Sequence, residues 1–350
     1  MSRGEIELRR FVEKVEMGVH LSFEEMEEAA TCLFREETAS SEIIDFLTAL
    51  SQKGETAQEI AALAFVMRSF AIQVNATGEA FMDNCGTGGD GSDSFNISTA
   101  SAFVLAGAGA KVAKHGNRKV SSEAGSSDVL EALKISLDNS PEEIADLLEQ
   151  EGLAFIYAPN LHPKMKRIGA IRRQIGKPTI FNLVGPLTNP VPLTTQFTGI
   201  SRPDFAMEYA SVLGMLGMKR GIVVSGAGGM DEASLAGPNS FVLLDKGDLI
   251  PFTLTADDVG LEYAPASAVR GGNAEDNAEI ILELLNGKRG PHFDTVVFNA
   301  GIGLFSSGLV ETIQEGVKRA VDSIISGRAL EKLEAVVAFS DKVGQKEVAR

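Results

Sequence analysis

The chain reads DNCGTGGDGSDSFNISTASAFVLAGAGAKVAKHGNRKVSSEAGSSD at residues 83–128, and this stretch decides the predicted fold and chemistry. Two glycine-containing loops, GTGGD at 86–90 and KHGNR at 114–118, flank a short apolar helix predicted to begin at Asn96. Glycine lets the main chain approach a ligand closely, and free N–H groups at a helix start favour anions. The second loop adds positive charge. Hydroxyl donors are supplied by Ser98, Thr99, Ser121, Ser122 and Ser126. We therefore predict a site for a ligand that carries several phosphates.

The segment 86–91 also matches the dinucleotide-binding pattern G-x-G-x-x-G. That pattern requires a helix that opens directly on the glycines and an acidic residue about 20 positions further on. Here residues 92–95 continue the loop, and residues 106–111 contain no carboxylate. The sequence therefore argues against a dinucleotide fold, and it contains no G-x-x-x-x-G-K-[ST] phosphate loop either.

Composition predicts a globular protein that does not bind nucleic acid or anionic membrane. The 350 residues include 48 acidic and 32 basic side chains, for a net charge of −16. No apolar run is long enough for a membrane span, and the N-terminus lacks the pattern of a signal peptide. The two cysteines have no metal-ligand spacing, so we expect a cytoplasmic location.

Secondary-structure patterns predict an α/β protein with a small helical domain and a larger α/β domain. Residues 1–73 have helical periodicity, while from about residue 80 short strands alternate with helices, which favours a mainly parallel central sheet. Predicted strands are 111–113, 153–157, 221–225, 240–244, 250–254 and 295–298. Predicted helices lie near 128–135, 140–152, 203–216, 275–286 and 309–326.

A basic helical segment, HPKMKRIGAIRRQIG, interrupts the α/β pattern at residues 162–176. We predict that the segment 162–190 packs on the N-terminal helices and forms a cleft between two domains. The helical domain then comprises residues 1–73 with 162–190. The α/β domain comprises residues 74–161 and 191–350.

Two further pairs of charged residues are candidates for chemistry. Asp231 and Glu232, in a glycine-rich loop, are either solvated turn residues or Mg²⁺ ligands, because Mg²⁺ is often held by carboxylates together with substrate phosphates. Arg172 and Arg173 point about 100° apart on a helix, so one of them faces the cleft or both lie on a solvated face. A guanidinium in the cleft would bind a substrate carboxylate. No arrangement of side chains indicates a catalytic acid or base, so none is assigned.

Six segments, in order along the chain, resemble the anthranilate phosphoribosyltransferase family of tryptophan biosynthesis. They are GTGGDG, FNISTA, KHGNRKVSSEAGSSD, YAPNLHP, IRRQIGKPTIFNLVGPLTNP and GMDE, between residues 83 and 232. The resemblance implies a nucleoside phosphorylase/phosphoribosyltransferase-like fold, a homodimer, and an active site between the two domains. It also implies transfer of the phosphoribosyl group of 5-phosphoribosyl 1-diphosphate to the anthranilate amine.

The resemblance further implies a role for individual residues. Binding of phosphoribosyl diphosphate is expected at Gly86, Gly89, Asp90, Ser94, Asn96, Ile97, Ser98, Thr99, Lys114, His115, Gly116, Asn117, Arg118, Lys119, Val120, Ser121, Ser122 and Ser126. Anthranilate is expected to contact Gly86, Asn117 and Arg172, and Mg²⁺ to be held by Ser98, Asp231 and Glu232.

Two alternatives are also compatible with a fold of this kind. A pyrimidine nucleoside phosphorylase would use inorganic phosphate, but the carboxylate pair and the KHGNR loop speak against it. A noncatalytic relative that binds nucleic acid would need a basic cleft, whereas this chain is strongly acidic.

Overall fold

A computed structural model of the chain describes residues 7–78, 80–118 and 124–348. The helices are α1 (Arg9–Glu16), α2 (Phe23–Leu33), α3 (Ser40–Lys53), α4 (Ala57–Phe70), α5 (Ile97–Gly107), α6 (Ser126–Ala132), α7 (Pro141–Gln150), α8 (Ala158–Leu161), α9 (Met165–Ile175), α10 (Ile180–Val184), α11 (Ala206–Met215), α12 (Ala274–Leu285), α13 (Pro291–Ser306), α14 (Ile313–Ile325) and α15 (Arg328–Val348). The strands are β1 (Phe81–Asp83), β2 (Lys111–Gly116), β3 (Leu153–Tyr157), β4 (Leu193–Gly199), β5 (Arg220–Ser225), β6 (Asn239–Asp245) and β7 (Asp248–Leu254). Within the described ranges, no helix is both long enough and apolar enough to cross a membrane.

Side-chain caps start two helices of the N-terminal part, α2 and α4. Ser22 accepts from Glu25 N at 3.2 Å while Glu25 Oε2 accepts from Ser22 N at 2.9 Å, and Thr56 and Glu59 repeat this reciprocal pair at α4. These bonds satisfy N–H groups that have no partner within the helix. Glu59 is fully buried and also accepts from Lys53 Nζ at 2.9 Å, so one carboxylate connects the end of α3 to the start of α4.

A seven-stranded sheet in the order β3-β2-β1-β4-β5-β6-β7 forms the centre of the molecule. The five strands from β3 to β5 are parallel to one another, which confirms the predicted mainly parallel sheet. The last two strands are antiparallel additions. Lys246 and Gly247 both have positive φ, 51° and 92°, in the two-residue turn that joins them, as the twist of a tight hairpin favours.

The strand order places a crevice at the centre of the sheet. From β1 the chain adds β2 and β3 on one side and then returns to add β4 on the other side. In parallel α/β sheets, ligands bind outside the carboxyl ends of the strands at such a reversal. β1 ends at Asp83 and β4 ends at Gly199, so we expect a ligand to bind near the loops that follow these two residues.

Within the part of the chain that the structure describes, two apolar clusters make up the core. One surrounds the α/β sheet with α5, α12, α13 and α14, while the other joins the helices α1–α4 to α9, α10 and α11. The second cluster also includes Val223 of β5 and Val242 of β6. Tyr209 of α11, which is buried, donates to the Leu183 carbonyl oxygen of α10 at 2.7 Å. The helices between residues 162 and 190 thus pack against both the N-terminal helices and α11.

One predicted strand is wrong. Residues 295–298, TVVF, lie inside α13, which is among the most buried helices of the chain. A helix that is apolar on all sides lacks the amphipathic pattern that distinguishes a helix from a strand. The β-branched residues of this segment therefore favoured the wrong prediction. Pro291 at the first turn was the available signal for a helix start.

Candidate active site

Three glycines allow the loop 226–232 to pack against the ends of the central strands. A Cβ on Gly199 would lie 1.5 Å from the main-chain oxygen of Asp231, and one on Gly226 would lie 2.0 Å from that of Glu232. A Cβ on Gly86 would lie 2.5 Å from Asp231 Oδ2. Any side chain at these positions would therefore push the loop away from the crevice, so the glycines place both carboxylates there.

Hydrogen bonds join the carboxylate loop to the first glycine loop. Gly88 N donates to Asp231 Oδ2 at 2.6 Å, and Asp231 N donates to Asp90 Oδ2 at 3.2 Å. The other oxygen of Asp90 accepts from the N–H and the hydroxyl of Ser92, both at 3.0 Å. The structure thus brings together segments that are about 140 residues apart in the sequence.

The carboxylates carry negative charge that the surrounding protein compensates poorly. Burial, and then the charge of Asp90, raise the pKa of Asp231 to about 7. Burial, and then the charge of Asp231, raise the pKa of Glu232 well above its usual range, although Lys114 and a hydrogen bond from Ser98 oppose this. A cation would relieve this repulsion, so the residues fit Mg²⁺, which prefers oxygen ligands.

The protein supplies only part of a coordination shell. Among the described residues, no three Asp, Glu, His or Cys side chains are placed to hold a metal by themselves. Ser98 contributes a hydroxyl beside Glu232. Mg²⁺ commonly completes its octahedron with water and substrate phosphate oxygens, and this donor set suits that mode of binding.

The start of α5 lies in the same crevice, with Asn96 at the N-cap as predicted. Asn277 Nδ2 donates to Asn96 Oδ1 at 2.9 Å, and Asn84 Nδ2 donates to the Ser98 carbonyl oxygen at 2.8 Å. Ser94, before the helix, forms an isolated antiparallel bridge with Arg270. These contacts hold the first turn of α5 from three directions, with free N–H groups suited to an anion.

A buried polar network fixes the end of β2 next to β1. Asp83 Oδ1 accepts from His115 N at 3.2 Å, and Asp83 Oδ2 accepts from Asn189 Nδ2 at 2.9 Å. Burial raises the pKa of Asp83 to about 6, while Lys114 lowers it. Burial, and then His162, lower the pKa of His115 to about 3, so this imidazole is neutral near pH 7.

The KHGNR segment, predicted to be a loop, has its first three residues in β2, and its last two residues contact α6. Ser126 Oγ donates to the Asn117 carbonyl oxygen at 3.1 Å, and a Cβ on Gly116 would lie 2.6 Å from Ser126 Oγ. The Arg118 guanidinium, predicted to bind phosphate, hydrogen-bonds to α6 and to the end of β3. The predicted ligands Lys119, Val120, Ser121 and Ser122 lie outside the described residues.

Arg172 lies on α9 and is half-buried, whereas Arg173 is exposed. Arg172 Nη2 donates to Asn182 Oδ1 at 3.0 Å, and its guanidinium carbon lies 5.7 Å from the centre of the Phe181 ring. Burial lowers the pKa of Arg172. The two arginines therefore differ in their surroundings, and only Arg172 is held against α10.

Comparison with known proteins agrees with this architecture. Residues 78–330 match the glycosyl transferase family, a/b domain, and residues 9–71 match the glycosyl transferase family, helical bundle domain. A protein named anthranilate phosphoribosyltransferase, from Exiguobacterium sibiricum, is 61% identical over 315 residues, which cover 90% of this chain and 93% of that protein. The chain belongs to the anthranilate phosphoribosyltransferase family.

Solved structures of the anthranilate phosphoribosyltransferase family share the fold. The enzyme from Thermus thermophilus is 38% identical with a TM-score of 0.89, and the match covers 95% of this chain and 99% of that one. The Saccharomyces cerevisiae enzyme in complex with PRPP and Mg is 27% identical with a TM-score of 0.87, covering 96% and 98%. The resemblance and the fold class predicted from the sequence are thus confirmed.

Several residues that shape the site were not predicted from the sequence. Asp83 and Asn189 have no motif of their own, since their pairing depends on two segments 106 positions apart. Gly199 lies in β4, a strand that was not predicted. Only the structure shows that a side chain at this position would clash with Asp231. The burial of a polar residue cannot be inferred from its identity alone.

Proposed function

We propose that this protein transfers the phosphoribosyl group of 5-phosphoribosyl 1-diphosphate to the amine of anthranilate. The products are N-(5-phosphoribosyl)anthranilate and diphosphate, in the second step of tryptophan synthesis from chorismate. The observation that carries the proposal is the convergence of Asp231 and Glu232 on the glycine loop and Ser98 at the carboxyl edge of the sheet. It occurs in a chain that belongs to the anthranilate phosphoribosyltransferase family.

The crevice has the chemistry to hold a diphosphate. The N–H groups at the start of α5 and the charge of Lys114 favour a polyanion there. Mg²⁺, held by Ser98, Asp231 and Glu232, would neutralise negative charge on the leaving diphosphate. Gly86, Gly89, Asp90 and Ser94 lie in the segment that contacts Asp231 and leads into α5. Their individual contacts to substrate are proposals carried over from the family.

Attack by the acceptor requires little help from an acid or base. The aryl amine of anthranilate is neutral near pH 7, so its lone pair is available without prior deprotonation. His115 and His162, with pKa values of about 3 and 4, are also neutral there and do not indicate a proton-transfer pair. Positioning and stabilisation of the leaving group can therefore provide the catalysis.

Anthranilate carries a carboxylate that needs a partner. We propose Arg172 for this role, with Asn117 and Gly86 as further contacts. The half-buried guanidinium of Arg172, already oriented by Asn182, can bind a planar carboxylate with less loss of side-chain entropy than a mobile surface arginine.

The homodimer, the cytoplasmic location and the domain boundaries 1–73 with 162–190, and 74–161 with 191–350, are further proposals. Exposed apolar side chains on the helical part support a dimer. Met17 is 74% exposed and Phe65 is 49% exposed, and a second copy of the chain would cover such a surface.

The first test is the loss of anthranilate fluorescence on incubation with protein, phosphoribosyl diphosphate and Mg²⁺. We expect rapid loss that requires both substrates and stops with EDTA. Absence of turnover by demonstrably folded protein would contradict the proposal. Phosphorolysis of uridine or thymidine in the same preparation would instead favour the phosphorylase alternative.

A further inference from the structure

The side chain of Arg118 is 46% exposed, and its guanidinium hydrogen-bonds to three protein side chains. Nη1 and Nη2 donate to the two oxygens of Glu131 at 2.8 and 2.5 Å, and Nη1 also donates to Asp128 Oδ1 at 3.1 Å. Nε donates to the Tyr157 hydroxyl at 3.2 Å, and the guanidinium carbon lies 5.6 Å from the centre of the Tyr157 ring.

These contacts leave few N–H groups of Arg118 available to bind a phosphate. A guanidinium has five N–H groups, and the four hydrogen bonds to Glu131, Asp128 and Tyr157 occupy most of them. The bond to Glu131, and then that to Tyr157, raise the pKa of Arg118. A phosphate ligand would have to displace a bidentate carboxylate, which is among the stronger pairings that arginine makes.

The same contacts connect the beginning of the loop to the helix that follows it. Arg118 N donates to Asn117 Oδ1 at 2.8 Å, and the Asn117 carbonyl oxygen accepts from Ser126 Oγ at 3.1 Å and from Ser127 N at 3.3 Å. Glu131 is one turn further along α6. The Arg118–Glu131 pair therefore holds Asn117 against the start of α6.

We propose that Arg118 is a positioning residue that acts through Glu131 to hold Asn117 and Ser126 in the substrate site, and that it does not itself bind phosphate. The kinetic part of this inference rests on the proposed function, in which Asn117 contacts substrate, and on the family resemblance, which implies that Ser126 binds phosphoribosyl diphosphate. An isolated exposed ion pair contributes little, but a bidentate pair within a hydrogen-bonded network is an exception.

Kinetics of Arg118→Ala, Glu131→Ala and the double variant test the inference. We expect each single variant to raise the KM for phosphoribosyl diphosphate by between about threefold and tenfold. The double variant should be no worse than the more affected single variant, because both remove one interaction. Glu334→Ala, which removes an exposed helix carboxylate elsewhere, is the matched control and should leave KM unchanged.

A direct phosphate contact predicts the opposite result for Glu131→Ala. Removal of Glu131 would then release Arg118 toward the phosphate, so KM would stay the same or fall. That outcome, or additive effects in the double variant, would overturn the inference. Arg118→Lys adds a further test, because lysine preserves the charge but not the bidentate geometry. We expect it to resemble Arg118→Ala.

Hydrogen exchange of the ligand-free protein gives a readout that does not depend on catalysis. We expect the amides of Arg118 and Ser127 to exchange faster in both Arg118→Ala and Glu131→Ala than in the wild type. Unchanged exchange in Glu131→Ala would reject the positioning role even in an active enzyme. If the wild type lacks transferase activity, the proposed function fails, while this measurement still decides whether the pair orders the loop.

Discussion

At the scale of single residues, burial and neighbouring negative charge disfavour the charged forms of Asp231 and Glu232 in the ligand-free protein. Their loop packs so closely that three glycines have no room for a side chain, and this packing places the main chain of both residues at the ends of the central strands. The raised pKa values of both groups express this cost. Such a pair binds a cation well because the cation removes an existing penalty.

We expect Asp231→Asn combined with Glu232→Gln to lower Mg²⁺-dependent turnover by roughly 100-fold or more, since preorganised charge at the leaving group is lost. The same variant should unfold at a higher temperature than the wild type at pH 8, because buried like charges are removed. Initial rates across a Mg²⁺ series and thermal unfolding are the two measurements. Asp322→Asn, on the exposed face of α14, is the control; retained full activity in the double variant would contradict the metal role.

Arg172→Ala should raise the KM for anthranilate by about tenfold or more, since a charge-assisted hydrogen bond contributes about 1.5–3 kcal/mol. The KM for phosphoribosyl diphosphate should change little. The neighbouring Arg173→Ala, which removes an exposed guanidinium from the same helix, should change neither constant. If the two variants behave alike, Arg172 is not the carboxylate contact.

At the scale of secondary-structure elements, Gly199 determines how the loop 226–232 meets β4. In Gly199→Ala the new methyl group would clash with the main chain of Asp231, so the loop must shift. We expect a loss of about 1–3 kcal/mol in the free energy of unfolding, together with weaker Mg²⁺ dependence. Urea unfolding provides the first quantity and metal titration of activity the second.

Gly344→Ala is the matched substitution for Gly199→Ala. Gly344 lies inside α15 with nothing within 4 Å of the position that a Cβ would take, so the added methyl group meets open space. Alanine should stabilise the helix slightly there. Equal effects of the two substitutions would show that the clash with Asp231 has no consequence.

Elements with a clear periodicity or cap were predictable from the sequence, and elements defined by long-range burial were not. The start of α5 at Asn96 was predicted correctly, and the capping pairs of Ser22 and Thr56 follow a spacing that can be recognised in a sequence. The wrong strand at 295–298 lies in a helix that is buried on nearly all sides, where periodicity carries no information. In the site, motifs indicated Asp231 and the glycine loop, but they could not show that Arg118 faces Glu131.

At the scale of the whole molecule, Asp83 makes folding stability depend on pH. Its pKa of about 6 in the folded state exceeds the ordinary value of 3.8, so the folded protein binds this proton more tightly than the unfolded chain does. This stabilisation amounts to about 3 kcal/mol in the free energy of unfolding. It is present below about pH 4 and is lost as the pH rises through 6.

Asp83→Asn should remove this contribution to the pH dependence. Loss of a hydrogen-bond acceptor changes the free energy of unfolding by an amount that does not depend on pH. The test is therefore how much the difference in this free energy between wild type and variant changes between about pH 4 and about pH 6.5. Urea unfolding at several pH values measures it, with Asp322→Asn as the control series. A difference that is independent of pH would show that Asp83 titrates normally in the folded state.

The apolar cluster that joins α1–α4 to α11 also has a consequence for biosynthesis. The N-terminal helices leave the ribosome first, but their partners on α11 end at Met215, about 140 residues later. At roughly 5–20 residues per second, this delay is on the order of 10 s. During that time the apolar face of the nascent helices is not covered by α11. A chaperone that binds chains during translation would bind this face.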